Sequence, residues 1–292
     1  MISFRQHVVT LVAVFLALAV GVVLGGGPLS EVGRDALTST SAGSKARPAA
    51  DKTAFGDAFA TTAATRLYHE GLAGRSVALV VLPGADQRVV EGLVGQIEHA
   101  AGTISGRYTV QSGLVDAGEK SLVDTLGSQL MTQLDSGVAD EDAATYPRIG
   151  QLLGSAIATR EKKGAEADQD ITSIRQSLAG AELVEAPANE PDLAPLVVVV
   201  LGDNTDDAIL GGLLSGLATR AQGVVAAGET RSGTNGDVAA LRQRPEAGKV
   251  ATVDGVELAV GQVTTVLALV RSLDQRGGSF GASGSDGAVP LR

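Results

Sequence analysis

The chain has 292 residues, a formal net charge of -10 and no cysteine. The absence of cysteine excludes disulfides, thiol catalysis, iron–sulfur clusters and thiolate metal sites. The acidic charge and an aromatic content of only 3% argue against a basic, base-stacking surface, so we expect no nucleic-acid partner. Once the apolar N-terminus is set aside, the remaining length fits one medium domain or two small ones, and one domain is the simpler interpretation.

The N-terminal segment is long and apolar. Residues 8–24 carry no charge, and they come close to the ~20 residues needed to cross the hydrocarbon core of a bilayer. A cleaved signal peptide is the alternative, but its apolar region is normally shorter and ends in a small-residue cleavage site. Arg5 precedes the segment and no excess of positive charge follows it, which predicts a cytoplasmic N-terminus. Residues 1–29 are therefore predicted to form a cytoplasmic tip and a single transmembrane anchor.

Residues 30–52 are rich in Ser, Thr, Ala and Gly and show no apolar period, which predicts a flexible stalk. An extracytoplasmic α/β domain is then predicted for residues 53–276. Its first helix is indicated by apolar residues that recur every four positions. These residues are Phe55, Phe59, Ala63 and Leu67.

Two short apolar runs, residues 77–82 and 196–201, fit buried strands of a parallel sheet. The first is followed by a helical pattern and then by an extended stretch, and this strand–helix–strand order favours a parallel sheet with right-handed crossovers. The predicted fold class is therefore α/β, with one N-terminal transmembrane helix followed by a mainly parallel-sheet extracytoplasmic domain and a helical layer. Further helices are predicted at residues 121–134, 149–157, 171–178, 209–217 and 263–273, and a further strand at 224–227.

Two predictions concern the C-terminal part of the chain. The Asp254-Gly255 pair between two apolar runs predicts a β-hairpin that joins residues 250–253 to residues 256–260. Residues 277–292 have a low-complexity composition, which predicts a disordered tail.

Ligands of α/β sheets usually bind outside the carboxyl ends of the strands, so the loops after the two strongest strands are the best candidates for a cleft. These loop residues are Pro83, Gly84 and Asp86 after the first strand, and Gly202, Asp203 and Asn204 after the other. Asp203, Asp206 and Asp207 offer oxygen ligands for a hard cation. They are equally suited to cap the following helix, which is the commoner role of acidic residues at such positions.

Soft or borderline metal donors are scarce. The chain has three histidines and two methionines; of these, His69 and His99 are the weak candidates for a metal site. Both come near predicted helix ends, where a cation suits the helix dipole, and one pair of histidines does not complete a coordination shell. Phosphate-loop, dinucleotide and zincin signatures are absent from the sequence. We therefore expect no catalytic residues and no enzymatic activity.

Three stretches of the sequence together resemble the actinobacterial MctB family. They are the apolar N-terminal segment of residues 1–29, the run LAGRSVALVVLPGAD at residues 72–86, and residues 102–116 with their S-G-R-Y run. The resemblance extends over nearly the whole chain. None of the three stretches is a catalytic or ligand motif.

The resemblance implies a role in copper transport or copper homeostasis, with copper implied by the family alone. It also implies a location at the cell membrane of the envelope, with a single span, a cytoplasmic N-terminus and an extracytoplasmic main domain. Related proteins called SteB suggest the alternative, a non-enzymatic scaffold that regulates cell-wall separation. Both interpretations lead us to expect membrane association and a protein partner in the envelope.

Overall fold

The computed structural model describes residues 51–134, 137–202 and 204–291. The chain divides into two units, Met1–Phe55 and Gly56–Arg292. In the first unit, the described residues 51–55 are helical. The predicted anchor and most of the predicted stalk lie outside the described residues.

The second unit is organised around one sheet. Its strands are β1 (Ser76–Val81), β2 (Thr103–Val110), β3 (Val184–Glu185), β4 (Leu196–Val200), β5 (Gly223–Gly228), β6 (Ala251–Asp254) and β7 (Ser279–Gly281). They are arranged in the order β3-β2-β1-β4-β5-β6-β7. All neighbours are parallel except β2 and β3. The mixed α/β class with a mainly parallel sheet is therefore confirmed.

Helices cover both faces of the sheet. The helical residues 56–68 are α1, and they are followed by α2 (Gln87–His99), α3 (Ser112–Val115), α4 (Lys120–Gln133), α5 (Thr145–Ile157), α6 (Gln169–Gly180), α7 (Asp207–Arg220), α8 (Ser232–Asn235), α9 (Asp237–Arg242) and α10 (Ala259–Ser272). Buried side chains of α1, α2 and α10 pack on one face. Those of α4 to α7 and α9 pack on the other face. The helices predicted at residues 121–134, 149–157 and 171–178 correspond to α4, α5 and α6.

All five residues of β4 are buried, as the apolar run predicts. Val197 and Val199 belong to the core that α5 and α7 cover, whereas Val198 belongs to the opposite core. Because side chains alternate between the two faces of a strand, such a strand needs an apolar residue at every position.

The apolar face predicted for the first helix is wrong. Phe59 is 66% exposed, and Phe55 and Leu67 are exposed as well. The buried side chains are instead Ala60, Ala64 and Tyr68. Small alanines let α1 lie close to the domain, and the Tyr68 hydroxyl donates a 2.7 Å hydrogen bond to Gln96 Oε1. The four-residue period thus identified a helix but not its buried face.

The predicted hairpin at Asp254-Gly255 is wrong. Gly255 does adopt a positive φ of 93°, the conformation in which glycine is favoured. However, Gly255 and Val256 both donate backbone hydrogen bonds to the carbonyl oxygen of Gly228, at 2.9 and 3.2 Å. These bonds extend the pairing with β5 and do not turn the chain back on β6. The chain then enters α10 at Ala259.

The C-terminal residues, for which the sequence predicts disorder, form part of the sheet and a buried polar network. β7 pairs in parallel with β6. The Asp254 carboxylate at the end of β6 is fully buried, and it accepts hydrogen bonds from the backbone N–H and the hydroxyl of Ser283 at 3.0 and 2.8 Å. Arg242 Nη2 donates to Asp254 Oδ1 at 2.9 Å and to the Phe280 carbonyl at 2.7 Å. The low-complexity composition of residues 277–292 does not indicate that Asp254 and Arg242 bind this segment.

We predict that Asp254→Ala lowers the free energy of unfolding by about 3–5 kcal/mol, because it leaves the Arg242 guanidinium largely buried without its counter-charge. Urea unfolding measures the loss, and limited proteolysis should show faster cleavage after residue 276. The exposed Asp274→Ala is the matched control and should change stability by less than about 0.5 kcal/mol. Equal stability of Asp254→Ala and the wild type would contradict the role assigned to this network.

Candidate functional site

The two predicted cleft loops lie side by side, because β1 and β4 are adjacent parallel strands. Leu82 N donates to Val200 O at 3.0 Å, which continues this pairing into the loops. A Cβ atom on Gly202 would overlap the carbonyl oxygen of Pro83. The two loops are therefore in direct contact, and this contact fills the space between them where sequence reasoning places a cleft.

Asp86 has a structural role in the loop after β1. Its carboxylate accepts a hydrogen bond from Arg88 N at 2.8 Å and so caps the N-terminus of α2. Arg88 Nη2 lies 2.7 Å from the same carboxylate, and these contacts hold the pKa of Asp86 below its ordinary value. Gly84 adopts a positive φ of 83°, which shapes the turn before the cap. Pro83, Gly84 and Asp86 thus build the start of α2.

A polar pocket lies beside these loops, at the carboxyl ends of β4 and β5. Its volume is about 570 Å³. Of the predicted cleft residues, Asn204 lines it, while Asp203 lies outside the described residues. The lining residues with polar side chains are Asn204, Thr205, Asp207, Thr234, Asn235, Asp237, Gln243, Arg244 and Glu246. The position agrees with the general rule for α/β sheets, but the pocket is one strand further along than the predicted cleft.

Asp237 is the buried charge of this pocket. It is only 2% exposed. Its carboxylate accepts the backbone N–H of Thr205, at 3.2 Å to Oδ1 and 3.4 Å to Oδ2. Burial raises the pKa of Asp237 by more than these hydrogen bonds lower it. The nearby negative charge of Asp207 raises the pKa further. The side chain therefore ties the loop after β4 to the first turn of α9.

Asp206 is a helix cap, which is the commoner of the two roles weighed for the acidic residues here. Its carboxylate accepts hydrogen bonds from Ala208 N at 2.9 Å and Ile209 N at 3.1 Å. Asp207 and Asn204 line the pocket. Within the described residues, no three His, Cys, Asp or Glu side chains are grouped as a metal ion would require.

Sequence reasoning missed the segment after β5, which supplies Thr234, Asn235 and Asp237 to the pocket. A signal was present, because the apolar strand at 224–227 is followed within a few residues by the polar run S-G-T-N-G-D. Ligands of α/β sheets bind outside the carboxyl ends of the strands, so the loop after β5 is a candidate for the same reason as the loops after β1 and β4.

The two candidate histidines lie at helix ends, away from this pocket. His99 is the last residue of α2, and His69 follows α1 with a positive φ of 48°. Their segments meet, because Leu72 N donates to the carbonyl oxygen of Ala100 at 3.1 Å. Both histidines are exposed. This placement fits histidines at helix ends, the simpler interpretation of the sequence.

Met131, the other soft donor in the described chain, lies elsewhere. It belongs to α4 and packs against the core on one face of the sheet. The segments that carry His69 and His99 border the opposite core, through Tyr68, Leu72 and Ala100. The three donors therefore lie on opposite sides of the sheet and do not converge.

In the part of the chain that the structure describes, no helix has both the length and the apolar character needed to cross a bilayer. The predicted span at residues 8–24 falls outside that part.

Comparison with known proteins identifies the family. A family model described as "Copper transport outer membrane protein, MctB" matches residues 1–291. The chain belongs to the MctB family. The copper transporter MctB of Mycobacterium tuberculosis (strain H37Rv) is 30% identical over 304 residues, which cover 92% of each chain. That of Mycobacterium leprae (strain TN) is 28% identical over 297 residues, again 92% of each chain. Membership of the MctB family supports membrane association and a role in copper transport or homeostasis.

The raised pKa of Asp237 leads to a prediction about pH. The folded chain holds this proton more tightly than the unfolded chain, so the stability that the group contributes is complete below the unfolded pKa of about 3.9 and falls as the pH rises through the folded pKa. Asp237→Asn does not titrate. The free energy of unfolding of the wild type minus that of the variant, measured with urea, should therefore decrease as the pH rises from about 4. A difference that is constant with pH would contradict this assignment.

Proposed function

We propose that this MctB-family chain serves copper homeostasis as a membrane-anchored, non-enzymatic protein that acts through a protein partner in the envelope. In this proposal, its α/β domain does not hold copper in a tight site of its own. The observation that carries the proposal is the separation of the soft donors across the sheet.

Copper(I) favours thiolate and thioether ligands, and copper(II) favours imidazole. The chain has no cysteine, and in its described residues only His69, His99 and Met131 offer imidazole or thioether groups. A tight site requires several such groups to converge and to be oriented by neighbouring hydrogen bonds. Two exposed histidines on one side of the sheet and a methionine on the other do not provide this arrangement.

The polar pocket also supports a non-enzymatic role. Asp237 is occupied in positioning Thr205, and Asp206 is occupied in capping α7. His69 and His99 lie near the amino edge of the sheet, where α2 leads into β2, so neither can act as the base of a nucleophile at the carboxyl edge. In this proposal the pocket binds polar or charged groups and does not catalyse a reaction.

A protein partner is supported by the exposed side of α1. Phe59 is 66% exposed and Leu67 is exposed two turns later. Aromatic side chains make up only 3% of this sequence, and large exposed apolar residues on one helix face are typical of contact surfaces.

The proposed topology is a single membrane span at residues 8–24 with a cytoplasmic N-terminus. The length of the uncharged segment and the position of Arg5 support it. A reporter fused after Arg292 should be active only on the extracytoplasmic side, and cytoplasmic activity would contradict the topology. Mass spectrometry of the mature chain tests the anchor separately, because a new N-terminus near Gly27 would show that the segment is cleaved.

Equilibrium titration with copper(I) and copper(II) against a competing chelator tests the proposed function. The fragment should begin at Thr53 and include the C-terminal residues to 292, because β7 is part of the sheet. We expect binding weaker than micromolar, and we expect it to be the same in wild type and in a His69→Ala, His99→Ala double variant. Met131→Leu serves as the control for the thioether.

Micromolar or tighter binding that the double variant loses would contradict the proposal and would assign the site to the two histidines. Tight binding that survives the double variant but is lost in Met131→Leu would contradict it as well, because the thioether would then hold the metal.

A further inference from the structure

A second cleft, of about 420 Å³, lies at the amino edge of the sheet. It is formed where α5 and α7 end and where α6 begins. Thr159, which follows α5, donates its backbone N–H to the carbonyl oxygen of Ala194, just before β4. Arg160 and Arg220 both line the cleft. It is therefore separate from the polar pocket at the opposite edge.

A third arginine, Arg276, lies against the same helix end. Its Nη2 donates to the carbonyl oxygens of Ala218, in the last turn of α7, and of Ala221, which follows the helix. Burial lowers the pKa of Arg276, and the positive charge of Arg160 lowers it further. Arg160 and Arg220 thus line the cleft, and Arg276 lies beside it against the end of α7, so three segments of the chain contribute arginines to this region.

Within the described residues, none of these three guanidiniums forms an ion pair. The Nε atoms of Arg220 and Arg276 are buried and have no hydrogen-bond partner. A buried donor without a partner costs about 1–3 kcal/mol, and more when it is charged. The group is therefore deficient in acceptors.

Carboxylates near the cleft do not remove this deficit. Asp168 lines the cleft, but its Oδ1 accepts the N–H of Ile171 at 2.9 Å as the cap of α6. Asp140 acts on Arg220 through its charge, but its Oδ2 accepts Gln151 Nε2 at 2.6 Å. Asp170 also lines the cleft, and it does not approach any of the three arginines within ion-pair distance.

Helix capping explains only part of the group. Arginines near helix C-termini commonly bond the last carbonyls, as Arg276 does on α7. Arg220 instead donates from Nη2 to the carbonyl oxygen of Gly137, in the loop after α4, at 2.9 Å. Arg160 is exposed, and it forms no hydrogen bond to any described residue. Capping therefore does not explain why Arg160 faces the same cleft.

We propose that this cleft binds a phosphate group through Arg160 and Arg220, which line it, with the charge of Arg276 nearby. Guanidinium N–H groups form a planar fork that matches the oxygens of a phosphate, and arginine is the residue most suited to such sites. A bound phosphate supplies an acceptor for Arg160, which has no partner among the described residues, and places a negative charge beside the partly buried Arg220. It also screens the repulsion between Arg160 and Arg276.

The full-length chain in a non-ionic detergent provides the test. Inorganic phosphate is titrated at constant ionic strength, with sodium chloride as the reference, and the broadening of its ³¹P resonance is followed. In a second arm, a short-chain phosphatidylglycerol replaces inorganic phosphate, which distinguishes a lipid headgroup from a free anion. We expect saturable binding in at least one arm.

Arg160→Ala should weaken this binding about tenfold or more, the usual effect of losing one charged hydrogen bond. Its thermal melting should not change, because Arg160 has no structural partner among the described residues. Arg66→Ala removes an equal charge from the exposed side of α1 and should bind like the wild type. Absence of saturable binding in both arms, or equal loss in the two variants, would overturn the proposal.

Discussion

The five residues of β4 lie between two parallel neighbours and two layers of helices, so no side chain of this strand reaches water. Because both faces of β4 are buried, each face must be covered by other parts of the chain. The helices that connect parallel strands provide this cover. Among the covering helices, α5 and α7 pack most closely against each other. A Cβ atom on Gly150 or Gly216 would overlap backbone atoms of the other helix. Glycine at these positions therefore lets the two helices approach closely over the sheet.

The parallel sheet fixes the direction of the helices that connect its strands. That direction in turn explains where many of the acidic residues lie. Helices that follow a parallel strand begin at the carboxyl edge, where their N-terminal N–H groups attract acidic residues. Asp86 and Asp206 cap α2 and α7 in this way. Asp57 on α1 does the same for α10, across 202 positions of sequence, by accepting Ala259 N at 2.9 Å. Most of the acidic residues discussed at this edge are thus structural, although the sequence alone presents them as possible ligands.

The long, strongly apolar elements could be predicted from the sequence, because their pattern is a local consequence of burial. β1, β4, β5 and the helices α4 to α7 are of this kind. The two-residue β3, the three-residue β7 and the buried side of α1 could not be predicted, since each depends on a distant partner. The Asp254-Gly255 pair has the local chemistry of a hairpin, but hydrogen bonds to Gly228 determine the outcome. For the candidate site, the sequence pointed to the carboxyl edge and to Asn204, which lines the polar pocket there, and it missed Asp237, whose burial depends on packing.

Helix capping explains the acidic residues at the carboxyl edge, but bonds to backbone carbonyls explain the arginines at the amino edge only in part. At the amino edge, Arg160 bonds to no described residue, and the buried Nε atoms of Arg220 and Arg276 have no acceptor. Guanidinium groups bind anionic oxygen acceptors, and the polar pocket at the other edge is lined by amide and carboxylate side chains, whereas copper(I) prefers sulfur ligands. The polar chemistry of the described domain and the metal of its family thus differ in kind. Among the described residues, the polar groups at the two sheet edges are therefore suited to hydrogen bonding and to charged oxygen groups, and not to copper(I).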